Sequence, residues 1–198
     1  MTINTKTLAA IDIGTNAIRL FISNVEEYPT ETLFKKIAFL RVPIRLGEDV
    51  FTTGEIGQQK RKRLCETMQG FSYIMSAFNV ESYKAYATCA MREARNGKSV
   101  AEQIQKECDL NIEIISGTKE AETIFAGGMN EVVDDDKTYL YVDVGGGSTE
   151  VIVYSKSVKI EACSFPLGTV RMLNDAVDKE EMKHFKKWLK NITEKYTP

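Results

Sequence analysis

Histidine is almost missing from this chain: of 198 residues one, His184, carries an imidazole, and it sits in a lysine-rich stretch. A Ser-His catalytic pair has little to build on. The four cysteines, Cys65, Cys89, Cys108 and Cys163, are scattered with no C-x-x-C pair, which argues against a zinc site or a disulfide framework and leaves reduced, mostly buried thiols. Long apolar runs are absent too: Met1-Thr-Ile-Asn-Thr-Lys6 leads into only four apolar residues, Leu8 to Ile11, before Asp12, too few for a signal peptide or a membrane span. The expectation is a cytoplasmic protein with no membrane partner. Nor is there an excess of either charge, the net value being −2. With no long-range field for a polyanion, nucleic acid is not an expected partner, and any phosphate specificity must come from local arginines, glycine amides and metal ions.

What the chain does have is one phrase written twice. Ala10-Ile-Asp-Ile-Gly-Thr-Asn16 and Tyr141-Val-Asp-Val-Gly-Gly-Gly147 are each an apolar run interrupted by one aspartate and closed by glycine. Asp12 and Asp143 lie 131 positions apart, and Gly14 and Gly145 keep that offset. Both copies read as strand, glycine turn, strand. A buried strand with an aspartate next to glycine sets a carboxylate beside exposed backbone N–H groups, which suits a metal-bound phosphate chain. Two such hairpins facing each other would make a cleft.

Around the repeats, period-two patterning predicts three strands over residues 8–42, and apolar spacing predicts a long helix from Ile56 to Phe78. A strand at 82–88, a short turn or helix at 90–94, a helix at 99–108, a strand at 111–115 and a helix at 117–131 follow, with a polar turn at 133–137. Three strands then restart at Lys137, and Asp178 is a sensible N-cap for a last helix ending near Tyr196. That order fits an α/β fold with a duplication, divided as 1–132 and 133–198. On length the second copy is expected to be unfinished, as in a truncated chain or fragment.

Five segments could carry chemistry. Asp12-Ile-Gly-Thr-Asn16 offers Thr15 and Asn16 to phosphate oxygens, or is a hairpin whose aspartate caps its own turn. Gly145, Gly146, Gly147 and Ser148 suit close backbone approach to an anion, the alternative being a flexible tip; Asp143 and Glu150 bracket them as a carboxylate pair able to hold Mg²⁺. Arg92 and Arg95, three apart, can share a helical face, Arg92 clamping a phosphate or pairing with Glu93 in solvent. Glu120 opens a helix, placed to orient water or simply to complement the helix dipole along with Glu122. Leu167-Gly-Thr-Val-Arg171 could bind a further phosphate at a helix start, or be a connection with a surface arginine.

Taken in order, Ala10 to Asn16, Ala87-Thr-Cys-Ala-Met-Arg-Glu-Ala-Arg-Asn-Gly97, Ile115-Ser-Gly-Thr-Lys-Glu-Ala-Glu122, Val142 to Glu150 and Phe165-Pro-Leu-Gly-Thr-Val-Arg171 resemble the exopolyphosphatase and guanosine pentaphosphate phosphohydrolase family. The resemblance implies duplicated ribonuclease-H-like domains of the actin and Hsp70 type, with mixed sheets flanked by helices. It also implies hydrolysis of terminal phosphate from polyphosphate or pppGpp, with Mg²⁺ or another divalent cation as cofactor. Glu120 resembles the catalytic base, and Asp143 and Glu150 the acidic metal-site residues. Gly145 to Ser148 resemble one phosphate loop, Asp12, Gly14, Thr15 and Asn16 the other, and Arg92 a phosphate-contacting arginine. A homodimer is the candidate assembly. The family's further glycine-rich loop, beyond the segment ending at Arg171, is absent from this sequence. Two rival readings share the Asp-x-Gly loops: a non-catalytic (p)ppGpp or polyphosphate sensor, and a sugar or acetate kinase.

Overall fold

The computed structural model describes residues 4–126, 137–155 and 158–196. Residues 127–136 lie outside them, and with them the expected helix end at Glu131 and most of the polar turn before Lys137. The chain divides into two compact units, Met1–Ile114 and Ile115–Pro198. Among the described residues no helix is long and apolar enough to cross a membrane.

Unit 1 begins with an antiparallel meander of β1 (Asn4–Ile13), β2 (Ile18–Glu27) and β3 (Thr32–Val42). After α1 (Leu46–Thr53) and α2 (Gln58–Ala77) come β4 (Ser82–Ala87), α3 (Cys89–Glu93), α4 (Gly97–Cys108) and β5 (Glu113–Ile114). The strands form one sheet in the order β3-β2-β1-β4-β5, β4 running parallel to β1 and β5 parallel to β4. Alternation decides which face is core. Ala9, Ile11 and Ile13 pair in register with Ile22, Leu20 and Ile18, and all six are buried against Leu64, Met68, Phe71 and Met75 of α2 and Val100, Ile104 and Cys108 of α4. Burying a side chain of this kind contributes roughly 1.5–3 kcal/mol, so this face outweighs any local propensity.

The helix α1 is not legible in the sequence, where residues 41–48 read only as an exit from the sheet. Its N-cap, Arg45, makes no side-chain cap hydrogen bond, and its eight residues include a glycine and two threonines, weak helix formers. Tertiary burial of Leu46 and Val50 in the unit 1 core holds it instead.

Unit 2 contains α5 (Gly117–Ala126), β6 (Thr138–Val144), β7 (Thr149–Ser155), β8 (Val158–Phe165), α6 (Thr169–Leu173) and α7 (Lys179–Lys195). Its sheet is antiparallel in the order β6-β7-β8. The central strand is buried on both faces: Ile152 and Tyr154 pack with Ala121 of α5, while Val151 packs with Phe165 and Leu167 against Met182, Phe185 and Trp188 of α7. Asp178 caps α7 as expected, its carboxylate accepting the Glu180 N–H at 2.9 Å. The repeat pattern predicts a first domain reaching residue 132 and so including α5, but Ala121 and the Glu122–Lys159 ion pair at 3.2 Å fasten that helix to the second sheet.

One edge of unit 2 is thinly covered. Leu140, Val142 and Val144 on β6 are 48%, 47% and 55% exposed, whereas Ala9, Ile11 and Ile13, which hold the same places in the first copy of the repeat, are 8%, 2% and 0% exposed.

The thiols test this packing. Burial first, then the Glu107 charge, pushes the Cys65 thiol from an ordinary value of 9.0 up to about 11, and the same two causes raise Cys108. A raised thiol contributes stability that is present below its unfolded value and lost as pH climbs through the folded one. At pH 8, Ellman's reagent should therefore leave Cys65 and Cys108 unlabelled in the folded chain while all four cysteines react in denaturant. Rapid labelling of Cys65 in the native state would contradict the packing of α2 on α4.

Candidate functional site

The two glycine turns have the same internal closure. In unit 1 the Gly14 N–H donates to the Ala17 carbonyl at 3.1 Å; in unit 2 the Gly145 N–H donates to the Ser148 carbonyl at 2.9 Å. At either glycine an added Cβ would stand 3.1 Å from that same carbonyl oxygen, which is tight enough to disturb the turn.

Each turn is backed by the start of the helix that follows the third strand. In unit 1, Gly47 N–H donates to the Thr15 carbonyl and Arg45 N–H to the Asn16 carbonyl, both at 2.9 Å. In unit 2, Thr169 N–H reaches the Gly145 carbonyl at 3.0 Å, and Val170 and Arg171 N–H reach the Gly146 carbonyl at 2.8 and 3.1 Å. A trans peptide points its N–H opposite to its C=O. The amides of Asn16 and Ala17, and those of Gly146 and Gly147, are thereby turned away from the supporting helix. That is the polarity an anion needs.

The backing residues give two sequence features a different role from the one their spacing suggests. Arg171 is buried, and its Nε donates to the Gly147 carbonyl at 2.9 Å. The amides at the start of α6 are likewise spent on the turn, so Leu167 to Arg171, in place of a further phosphate site or a surface connection, is a support beneath the Gly145–Ser148 turn. Arg95 lies beyond the end of α3 and does not share a helical face with Arg92; it donates to the Thr53 carbonyl at 2.9 Å and to Glu55 at 3.2 Å, bracing the link between α1 and α2.

Arg92 itself stands at the same sheet end as the unit 1 turn, because Thr88 N–H, at the start of α3, donates to the Ile13 carbonyl at 3.2 Å. Arg45 adopts the left-handed conformation, φ 59° and ψ 52°, at a cost of roughly 1–2 kcal/mol for a residue with a side chain. Lys60 offsets this by donating to the Arg45 carbonyl at 2.6 Å while pairing with Glu48 and Asp49 of α1 at 2.9 and 2.8 Å. Its bond to Glu48 is the main cause holding that carboxyl below the usual range.

The carboxylates are arranged differently in the two copies. Asp12 lies across from Arg19 in register and forms an ion pair with it. Asp143 lies across from Glu150, so the position that holds a guanidinium in the first copy holds a second acid in the second. Glu150 is buried and accepts a hydrogen bond from Ser164 Oγ at 2.8 Å. Strand alternation puts Asp143 on the side of Tyr139 and Tyr141, Glu150 on the side of Ile152 and Tyr154, and Ser164 on the side of Ala162, which is the face packed against α5. Burial, followed by the Asp143 and Glu150 charges, raises the Tyr141 phenol above its ordinary range, a sign of how closely these groups sit.

Glu120 is in the first turn of α5, where the Ser116 hydroxyl accepts the Lys119 N–H at 3.1 Å and the Ser116 carbonyl accepts the Glu120 N–H at 2.9 Å. The helix that carries Glu120 therefore covers the sheet face that carries Asp143 and Glu150. Unit 2 carries Glu120, the two acids and the Gly145–Ser148 turn; unit 1 carries Asp12, Gly14, Thr15, Asn16 and Arg92. Among the described residues no cluster of three acidic, histidine or cysteine side chains forms a closed metal cage. A carboxylate pair beside a glycine turn instead fits a divalent cation of the magnesium kind, which keeps water and takes phosphate oxygens as its remaining ligands.

A mixed five-stranded sheet flanked by helices, an antiparallel three-stranded one and twin glycine turns define an α/β protein of the ribonuclease-H-like, actin-type class. The chain belongs to the Ppx/GppA phosphatase family, whose model matches residues 21–198. It is 32% identical over 168 residues to the bifunctional 3-dehydroquinate synthase/phosphatase of Fusobacterium nucleatum, covering 83% of this chain and 25% of that protein. To exopolyphosphatase 2 of Mycobacterium tuberculosis it is 28% identical over 170 residues, covering 83% of this chain and 53% of that protein. The crystal structure of an exopolyphosphatase from Cytophaga hutchinsonii superposes with a TM-score of 0.78 at 25% identity, covering 95% of this chain and 61% of that one. The chain thus spans between a quarter and about half of the length of these curated relatives.

Gly168 is where the supporting helix comes nearest the turn: a Cβ there would lie 2.4 Å from the backbone of Gly146 and Gly147. Gly168→Ala should lower unfolding stability by about 3 kcal/mol, the upper range for forced overpacking. In the same denaturation experiment Gly70→Ala, in α2 with open space around it, should raise stability by up to ~1 kcal/mol. Wild-type stability in Gly168→Ala would mean that the turn does not need this support.

Proposed function

We propose that this chain serves the hydrolysis of terminal phosphoanhydride bonds, in inorganic polyphosphate or in guanosine pentaphosphate, by direct attack of water. The observation that carries the reading is the pairing of Asp143 with Glu150 across a glycine turn, on the sheet face covered by the helix of Glu120. Membership of the Ppx/GppA phosphatase family and the exopolyphosphatase names of its relatives support it.

In this reading Glu120 takes the proton from water as its oxygen bonds to the terminal phosphorus, and the bridging P–O bond breaks with the electron pair leaving on the shortened chain. The amides of the Gly145–Ser148 turn hold non-bridging oxygens in unit 2, while unit 1 offers its own set of phosphate contacts in the amides of Asn16 and Ala17 and the Arg92 guanidinium. Asp12 acts indirectly, by fixing the Arg19 guanidinium rather than by touching an anion of its own sign. Asp143 and Glu150 would hold a divalent cation, Mg²⁺ being the natural candidate, which when bound would supply charge neutralisation at the phosphoryl oxygens. No covalent intermediate on the protein is required.

Phosphate release should be measured on this chain, with a longer family member as positive control, offering long-chain polyphosphate, pppGpp and ATP with Mg²⁺. Glu120→Ala should lower release by about 10²–10⁴-fold, the usual worth of a general base, with tripolyphosphate binding retained. Release by Glu120→Ala at the parental rate would remove the base assignment. Binding without turnover would mark a sensor, and transfer from ATP to an acceptor would mark a kinase.

A further inference from the structure

Each strand of the unit 2 sheet contributes one residue to the row that holds the acid pair. The row reads Asp143, Glu150, Ser164, whereas the matching register in unit 1 reads Asp12, Arg19, Arg41. Where the first copy closes with a second guanidinium, the other closes with a small hydroxyl. Ser164 Oγ is half-buried and donates to Glu150 Oε1 at 2.8 Å. A glutamate needs such a hold, because its carboxyl plane turns about a broad terminal torsion that no rotamer preference fixes. Burial settles where Glu150 lies, but not how its two oxygens are turned. A cation of the magnesium kind demands nearly octahedral placement of its oxygens, and a hydrogen-bonding partner of a metal-binding carboxylate supplies that orientation.

We propose that Ser164 is a positioning residue for the divalent-cation site, acting through Glu150. β7 is the central strand, so Ser164 on β8 and Asp143 on β6 flank Glu150 from opposite sides. An oxygen drawn to Ser164 turns the other oxygen of the carboxylate toward Asp143, the direction in which a shared cation must lie. Serine does this without bringing a charge to the row, as an arginine in the place of Arg41 does in unit 1. This inference rests on the reading of Asp143 and Glu150 as cation-holding acids, and the test separates the two.

The measurement is binding of Mn²⁺, a paramagnetic substitute for Mg²⁺, followed by loss of the free-ion EPR signal and by competition with Mg²⁺. Wild type should bind and Asp143→Asn should weaken that binding; a wild type that does not bind, or binds regardless of Asp143→Asn, sinks the cation reading itself and the proposal with it. Ser164→Ala should raise the Kd for Mn²⁺ about tenfold, the lower end of what an outer hydrogen-bonding partner contributes to metal affinity. Ser164→Thr, which keeps the hydroxyl, should restore it. A serine with only a structural role would lower the unfolding midpoint when removed and leave Kd where it was. If wild type binds through Asp143 and Ser164→Ala binds with unchanged Kd, the proposal is overturned. Should the alanine variant not fold, Ser164→Cys, close in size and a far weaker donor, is judged by the same Kd.

Discussion

A turn that is to grip an anion through its amides must first give away its carbonyls. Every peptide in the two glycine turns carries both groups on opposite sides, so orienting one side to a phosphate means satisfying the other against protein. Both units meet that constraint in one way, by running the third strand past a proline, Pro43 or Pro166, into a helix whose first amides lie under the turn. The sheet fixes where the turn begins, the helix start fixes its tilt, and the glycines allow the two to touch.

Within this shared frame the copies have diverged in charge. Arg19 and Glu150 occupy matching places opposite Asp12 and Asp143. The first turn is electrostatically balanced by its own ion pair, half-exposed and worth little to stability. The second brings two carboxylates together, one of them buried, an arrangement unfavourable by itself and suited to a cation. Duplication supplied the geometry, and one position in each copy sets what that geometry holds.

Much of this was legible in the sequence, and what was not has physical reasons. The repeat was visible because glycine at a tight turn and aspartate beside it answer local steric and hydrogen-bonding needs that survive divergence. Leu64, Met68, Phe71 and Met75 announced α2 by spacing, and Asp178 announced α7 as a cap. The echo of Val42-Pro-Ile44 in Phe165-Pro-Leu167 is out of step with the first repeat, because β7 and β8, of 7 and 8 residues, are each shorter than β2 and β3, of 10 and 11, and the link between them is shorter too. Arg171 after a Pro-Leu-Gly stretch looks like a surface residue; only the tuck of α6 under the turn buries it. Likewise α1 has no cap to advertise it, and the attachment of α5 to the second sheet depends on Ala121 and Glu122, residues that say nothing by themselves about which sheet they meet.

The bare row Leu140, Val142, Val144 bears on how the molecule comes apart. Its counterparts Ala9, Ile11 and Ile13 lie in the middle of a five-stranded sheet, while β6 is the margin of a three-stranded one. At ~25 cal/mol for each Å² of apolar surface removed from water, leaving these side chains half wet forgoes a few kcal/mol of cohesion. Cooperative opening on warming will therefore start in the later half of the chain, at the layer carrying the paired acids, with the five-stranded half still closed.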